Sequence, residues 1–151
     1  MIERIFISPA RGADQISVAQ AEVRAGLGLL GDRNFGKSVH PGQNLTLVEA
    51  EEIESFCQQH GRDVDLGMTR RNLVTRGVRL NALVGREFRV GELVLFGVEL
   101  CEPCSIVGKL LASPELPPAK VVKHWLGRAG LRADVRVGGV LQLGANVTLL
   151  S

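Results

Sequence analysis

The stretch NLVTRGVRLNALVGREFRVGELVLFGVELC, residues 72–101, constrains the fold more than any other part of the chain. Gly77, Gly85, Gly91 and Gly97 cut it into short Val, Leu and Phe runs, which suit strands better than helices. Glycine ends such runs because it reaches the positive-φ conformations that tight turns need. REFRV and LVLFGVELC flank Gly91-Glu92, so this segment reads as a β-hairpin with those two residues at its turn. The whole chain extends the pattern. Eighteen glycines and only 4% aromatic residues describe many turns between short Val/Leu strands.

Other strands are expected at ERIFIS (3–8), at QISVAQAEVRA (15–25) with a bulge near Gln20, and at NLTLV (44–48). EAEEIESFCQQHG follows the last of these as a helix, with acidic residues in its first turn, His60 in its last and Gly61 as the stop. CSIVGKLLA and PPAKVVKHWLG read as two short helices. In the second, Pro118 suits the first turn, and Val121, Val122, Trp125 and Leu126 share an apolar face. The tail GLRADVRVGGVLQLGANVTLLS returns to strands. These elements predict an α+β chain, predominantly β and barrel-like, folded as a single domain over 1–151.

The totals exclude several function classes. A formal net charge of +2 is too small for nucleic acid as the main partner. No run approaches the ~20 apolar residues of a membrane span. The charged start, with Glu3 and Arg4, has no signal-peptide core, and three cysteines do not make a disulfide framework. A soluble cytoplasmic protein is expected.

GLGLLG (26–31) matches the dinucleotide-binding fingerprint letter for letter, but that site needs a helix next. DRNFGKSVHPGQ follows instead, with Gly36, Pro41 and Gly42, and cannot form one. The loop GDRNFGKSVHPGQN (31–44) gathers Asp32, Arg33, Lys37 and His40, a set able to cradle an anion, although the composition also suits a plain solvated loop. In TRRNLVTRG (69–77), extension from Arg70 would place Arg70, Asn72 and Arg76 on one face. Arg71 would then lie opposite with Leu73 and Thr75, where an arginine wants an anion or a polar pocket. His60 and His124 each have a structural explanation, which leaves His40 as the histidine of interest.

CEPC (101–104) holds the remaining chemistry. One C-x-x-C provides half of a structural zinc site, and Cys57 belongs to a helix core face. A thioredoxin-type dithiol wants alternating strands and helices, not hairpins. A single working thiol at Cys104 is the third reading, with the start of a helix favouring its thiolate. Such a thiolate can ligate a soft metal such as molybdenum or carry a persulfide; two inert core thiols are the bland alternative.

GLGLLGDRNFGKSVHPGQNLTLVEAEEIE, then TRRNLVTRGVRLNALVGREFRVGELVLFG, then CEPC and GLRADVRVGG, in that order from about Gly26 onward, resemble the MOSC domain. That family is named for the C-terminal domain of molybdenum-cofactor sulfurase. The resemblance implies a barrel-like fold and a molybdenum cofactor (molybdopterin). Cys104 matches the cysteine that ligates molybdenum or carries sulfur. Arg33, Lys37, Arg71 and Asn72 match the cofactor-binding positions, and Asp32 or His40 would handle protons. Reduction of N-hydroxylated compounds, or sulfur transfer to a metal centre, is the implied chemistry. An electron-donor or sulfur-donor protein is then an expected partner beside a small-molecule cofactor or substrate. A non-catalytic carrier that delivers the cofactor, and a C-x-x-C dithiol redox protein, stand as alternatives. Pyridoxal phosphate belongs to the aminotransferase-like domain of the sulfurases, and is not expected on this chain.

Overall fold

The computed structural model describes residues 1–103 and 105–150. In chain order the first strands are β1 (Ile2–Ile7), β2 (Ile16–Val18), β3 (Gln20–Arg24), β4 (Gly28–Leu29) and β5 (Leu45–Glu49). Helix α1 (Ala50–Gln59) leads to β6 (Leu73–Thr75), and β7 (Glu87–Val90) and β8 (Leu93–Leu100) follow. Then come α2 (Ser105–Leu111), α3 (Pro118–Trp125), β9 (Leu131–Val137), β10 (Gly139–Gln142) and β11 (Val147–Leu149). The fold is α+β and mostly strand.

Eight strands form one sheet in the order β11-β7-β8-β9-β5-β6-β1-β2, and β10-β3-β4 form a second. The β7–β8 hairpin pairs Val90 with Leu93 across Gly91-Glu92, as the sequence predicts, and Gly91 adopts φ 57°. The expected bulge near Gln20 is a larger event. The chain leaves one sheet after Val18 and enters the other at Gln20, and β9 passes to β10 in the same way around Gly138. These two shared corners join the sheets. The start of β1 also meets the turn before β11, with Ile2 N donating to Ala145 O (2.9 Å) and Gly144 N to Ile2 O (2.7 Å). The large sheet therefore curls until opposite edges touch without closing a ladder, which makes the fold barrel-like and not a closed barrel.

Alternation along the central strands divides the apolar residues between two cores. Ile5, Leu47 and Leu73 pack between the sheets, whereas their neighbours Phe6, Val48 and Val74 pack against the helices. The second core takes Ile53, Phe56 and Cys57 from α1, Val107 and Leu111 from α2, and Val121 and Trp125 from α3. The β5–β6 pair is parallel, and α1 makes the crossover that such a pair requires. The α3 face is narrower than its spacing predicts. Val121 and Trp125 are buried, but the helix ends at Trp125 and Leu126 is 56% exposed.

Glu49 closes β5 and is buried, with its carboxylate accepting Leu80 N–H at 3.2 Å. Burial holds its pKa above the ordinary 4.5; the Leu80 bond and Arg79 oppose this, while Glu52 and Glu51 add to it. The native state thus binds this proton more tightly than the unfolded chain does. Its contribution to stability is full below pH 4.5 and is lost as pH rises through the raised native value. Glu49→Gln keeps an acceptor for Leu80 and removes the titration. Urea unfolding of the variant should show a gain over wild type at neutral pH that disappears at about pH 4. A gain that is the same at both pH values would contradict this assignment.

Candidate functional site

The loop 31–44 is held by its own polar side chains. The buried Asp32 carboxylate accepts Ser8 N–H (3.0 Å) and Asn34 N–H (3.2 Å), while Arg33 N donates to Ser8 O (2.7 Å). This fastens the start of the loop to the end of β1. Its far end is fastened to β9. Asn44 Oδ1 accepts Val135 N–H (3.0 Å), and Asp134 Oδ1 accepts Gly42 N–H (2.8 Å). Ser38 Oγ donates to Gly26 O (2.6 Å), which Asn44 Nδ2 also reaches (3.2 Å). Such anchoring is more than a solvated loop needs. It leaves Lys37 to Pro41 exposed as a raised rim.

His40 and Pro41 on that rim line two clefts. One, of about 490 Å³, continues over Asn44, Asp134 and Arg136. The other, of about 340 Å³, continues over Gln43, Glu99, Glu102 and Arg132. Strand ends from β8 and β9 supply its floor, so the rim and the segment after β8 face each other across it.

The Arg70–Arg76 block is not extended throughout. Arg70 takes φ 59°, and β6 begins only at Leu73. The expected division of faces changes accordingly. Arg70 turns back to donate to Ala13 O (2.6 Å), and Arg76 pairs with Glu3 and Glu54 at 2.9 Å each. Asn72 is the buried member. Its Oδ1 accepts Thr46 N–H (3.1 Å) and Oγ1–H (3.3 Å), and its Nδ2 donates to Phe6 O (3.2 Å). The amide is thereby spent on joining β1, β5 and β6. Arg71, half-buried, donates Nε–H to Ala129 O at 3.0 Å.

Arg71 leads to the cysteine segment. Cys101 follows β8, and its N–H donates to Gly130 O (2.8 Å), next to the carbonyl that Arg71 holds. The Cys101 thiol is 1% exposed, and burial pushes its pKa up; Arg71 and Arg132 offset part of that, while Glu99 and Glu102 add to it. A thiol so placed stays protonated and out of reach, the condition of a packing residue. Cys104 lies outside the described residues. Cys57, also buried, contacts Met68 sulfur-to-sulfur at 3.6 Å.

The structure therefore brings His40 and Glu102, of the segment leading to Cys104, to one cleft, while Arg71 stays outside its lining and reaches Ala129 O, beside the Gly130 carbonyl that holds Cys101. Lys37 is exposed on the same loop but does not line that cleft. Arg33 lies 4.0 Å from Asp32, and its Nη1 is buried with no hydrogen-bond partner among the described residues. Sequence reasoning missed Arg132, Glu99 and Glu102. A signal existed for the arginine: strand alternation in LRADVRV puts Arg132, Asp134 and Arg136 on the polar face of β9, beside the loop.

A profile of the MOSC domain matches residues 34–148, the span from the polar loop through β11. The chain belongs to the MOSC domain family. Solved structures agree in fold. The YuaD protein of Bacillus subtilis superposes with a TM-score of 0.81 at 19% identity, over 99% of this chain and 98% of that one. YiiM of Escherichia coli gives 0.69 at 18%, over 99% of this chain and 69% of that one, and YiiM of Geobacillus stearothermophilus gives 0.73 at 18%, over 100% and 76%. No functionally curated protein matches the sequence.

The family is associated with the molybdenum cofactor. The donor set present suits its anionic part. Arg71 and Arg132 flank the Cys101 segment, Arg132 Nε standing 3.9 Å from Glu99, and Arg33 Nη1, 4.0 Å from Asp32, is buried without a hydrogen-bond partner among the described residues. Among the described residues no group of three His, Cys, Asp or Glu side chains comes together as a metal site. No described helix is long and apolar enough to cross a membrane.

Proposed function

We propose that this MOSC domain binds a molybdenum–pterin cofactor, or an activated sulfur, at Cys104. The observation that carries the proposal is that two arginines flank the segment leading to this cysteine: Arg71 holds Ala129 O beside the Cys101–Gly130 bond, and Arg132 stands opposite Glu99 in the sheet, in the cleft that His40 also lines. A phosphate-bearing pterin calls for guanidinium donors near a soft thiolate. Cys104 would ligate the metal, Arg71 would hold the phosphate, and Arg33 and Lys37 would supply further positive charge. Bound there, the cofactor supplies two-electron chemistry at molybdenum, suited to reduction of N-hydroxylated compounds. His40, which lines the same cleft, would be the group that handles protons. Asp32 and Asn72 support this arrangement through the backbone of the loop and of β6, because their side chains are already hydrogen-bonded there.

In a second version, the Cys104 thiolate takes the outer sulfur of a donor protein's persulfide and releases the donor thiolate; the same arginines would dock the cofactor, and a thiol reductant would supply the two electrons as that sulfur passes on at the sulfide level. Metal analysis, pterin fluorescence and cyanolysis of wild type, Cys104→Ser and Cys101→Ser separate the two. The reductase version expects near one molybdenum and one pterin per chain, lost in Cys104→Ser and retained in Cys101→Ser. The sulfur version expects cyanide-labile sulfur with the same dependence. Loss in Cys101→Ser with retention in Cys104→Ser would overturn the assignment to Cys104.

A further inference from the structure

A third cleft, sharing no described lining residue with the two at the His40 rim, opens between the end of α1 and the end of α3. It measures about 450 Å³. At its inner end lie His60, which follows α1, and His124, in the last turn of α3. Their rings are 5.7 Å apart between centroids and nearly perpendicular, at 72°. Phe56 fixes both rings, at 4.9 Å from His60 and 5.0 Å from His124. The Nε2 atoms of both imidazoles are buried and have no hydrogen-bond partner among the described residues. Lys120, Lys123 and Arg128 line the walls with Gln59, and no carboxylate is among the described lining residues.

Each feature favours the same ligand class. A buried ring nitrogen without a partner is costly, so two side by side call for a group that pairs with both. Three cations around them oppose a divalent metal ion and attract an anion. Arg128 faces one carboxylate, with Glu52 Oε2 3.8 Å from its Nε. Leu116 and Leu126 give the cleft an apolar edge, which suits a ligand with one charged end.

We propose that this cleft binds a phosphate group, with His60 and His124 Nε2–H as inner donors and Lys120, Lys123 and Arg128 as counter-charges. Burial, Arg128 and His60 hold the His124 pKa below its ordinary 6.5, so its ring is neutral at neutral pH and presents one donor. A dianion beside it would reverse that shift, since an opposite charge favours the protonated ring. Arg62, stacked on Phe56 at 5.4 Å, adds positive charge behind the pair.

The test follows the two imidazoles by nitrogen NMR in the full chain during titration with inorganic phosphate and with phenyl phosphate, against chloride at matched ionic strength. Saturable shifts of both rings and a rise in the His124 pKa are expected. In Lys120→Gln/Lys123→Gln, altered only at exposed side chains, the Kd should weaken by about tenfold or more with an unchanged melting temperature. Tighter binding of phenyl phosphate supports a phosphate ester that uses the apolar edge, and tighter binding of inorganic phosphate supports the free ion. Shifts that never saturate, that chloride reproduces, or that persist at unchanged Kd in the double variant overturn the proposal. So would saturable binding of zinc ion with no response to phosphate.

Discussion

Asn72→Ala should lower the free energy of unfolding by about 3 kcal/mol in urea titrations, since buried donors and acceptors left unpaired cost about 1–3 kcal/mol each. The variant strands the N–H and Oγ1–H of Thr46 and the carbonyl of Phe6. All of these belong to the junction of β1, β5 and β6, where water does not enter readily. Lys37→Ala, on the exposed rim of the loop, should change stability by less than about 0.5 kcal/mol. If Asn72→Ala costs under about 1 kcal/mol, the amide does not clamp β1, β5 and β6 together. The outcome also bears on function. Under the proposed function, any loss of cofactor in this variant would track loss of folded protein, whereas loss in Arg71→Ala would occur in protein that remains folded.

Gly130→Ala should be at least as damaging, at about 3 kcal/mol or more. Gly130 adopts φ +108°, and a Cβ there would overlap the Leu47 carbonyl oxygen. Neither side can yield cheaply, because Leu47 is held between β6 and β9 by the sheet. The strain would fall on the site as well, since the Gly130 carbonyl holds Cys101 N–H and the Ala129 carbonyl holds Arg71. Native-state alkylation should therefore find Cys101 protected in wild type and accessible in the variant. Gly127→Ala is the control. It has a positive φ of +72° but nothing within 4 Å of an added Cβ, so only the backbone cost of about 1 kcal/mol is expected. Equal losses in the two variants would show that close approach to Leu47 plays no part.

Hairpin and helix positions were readable because their signals are local. Gly91-Glu92, Pro118 and the acidic first turn of α1 each act within a few residues, and each stands where the residue chemistry predicts. The sheet change between Val18 and Gln20 was visible only as a bulge, because the partner strands that pull the segment apart come from β1 and β10. The faces of residues 70–76 were misjudged for a related reason. A two-residue period assumes continuous strand, and Arg70 breaks it with a left-handed backbone. His60 and His124 each looked complete as helix-end residues, and 64 positions of chain separate the two rings that the fold brings together.

From the sequence alone came the α+β class, the strand-rich barrel-like fold and the MOSC family. These follow from glycine spacing, apolar alternation and ordered motifs, all of which are written along the chain. The tertiary structure decided what the polar residues do. It spent Asp32 and Asn72 on backbone hydrogen bonds, brought Arg71 and Arg132 to the Cys101 segment, and paired two histidines among lysines. An apolar residue's fate is set largely by the periodicity of its own segment. The fate of a buried polar group depends on which distant donor or acceptor reaches it, and only the folded chain specifies that partner.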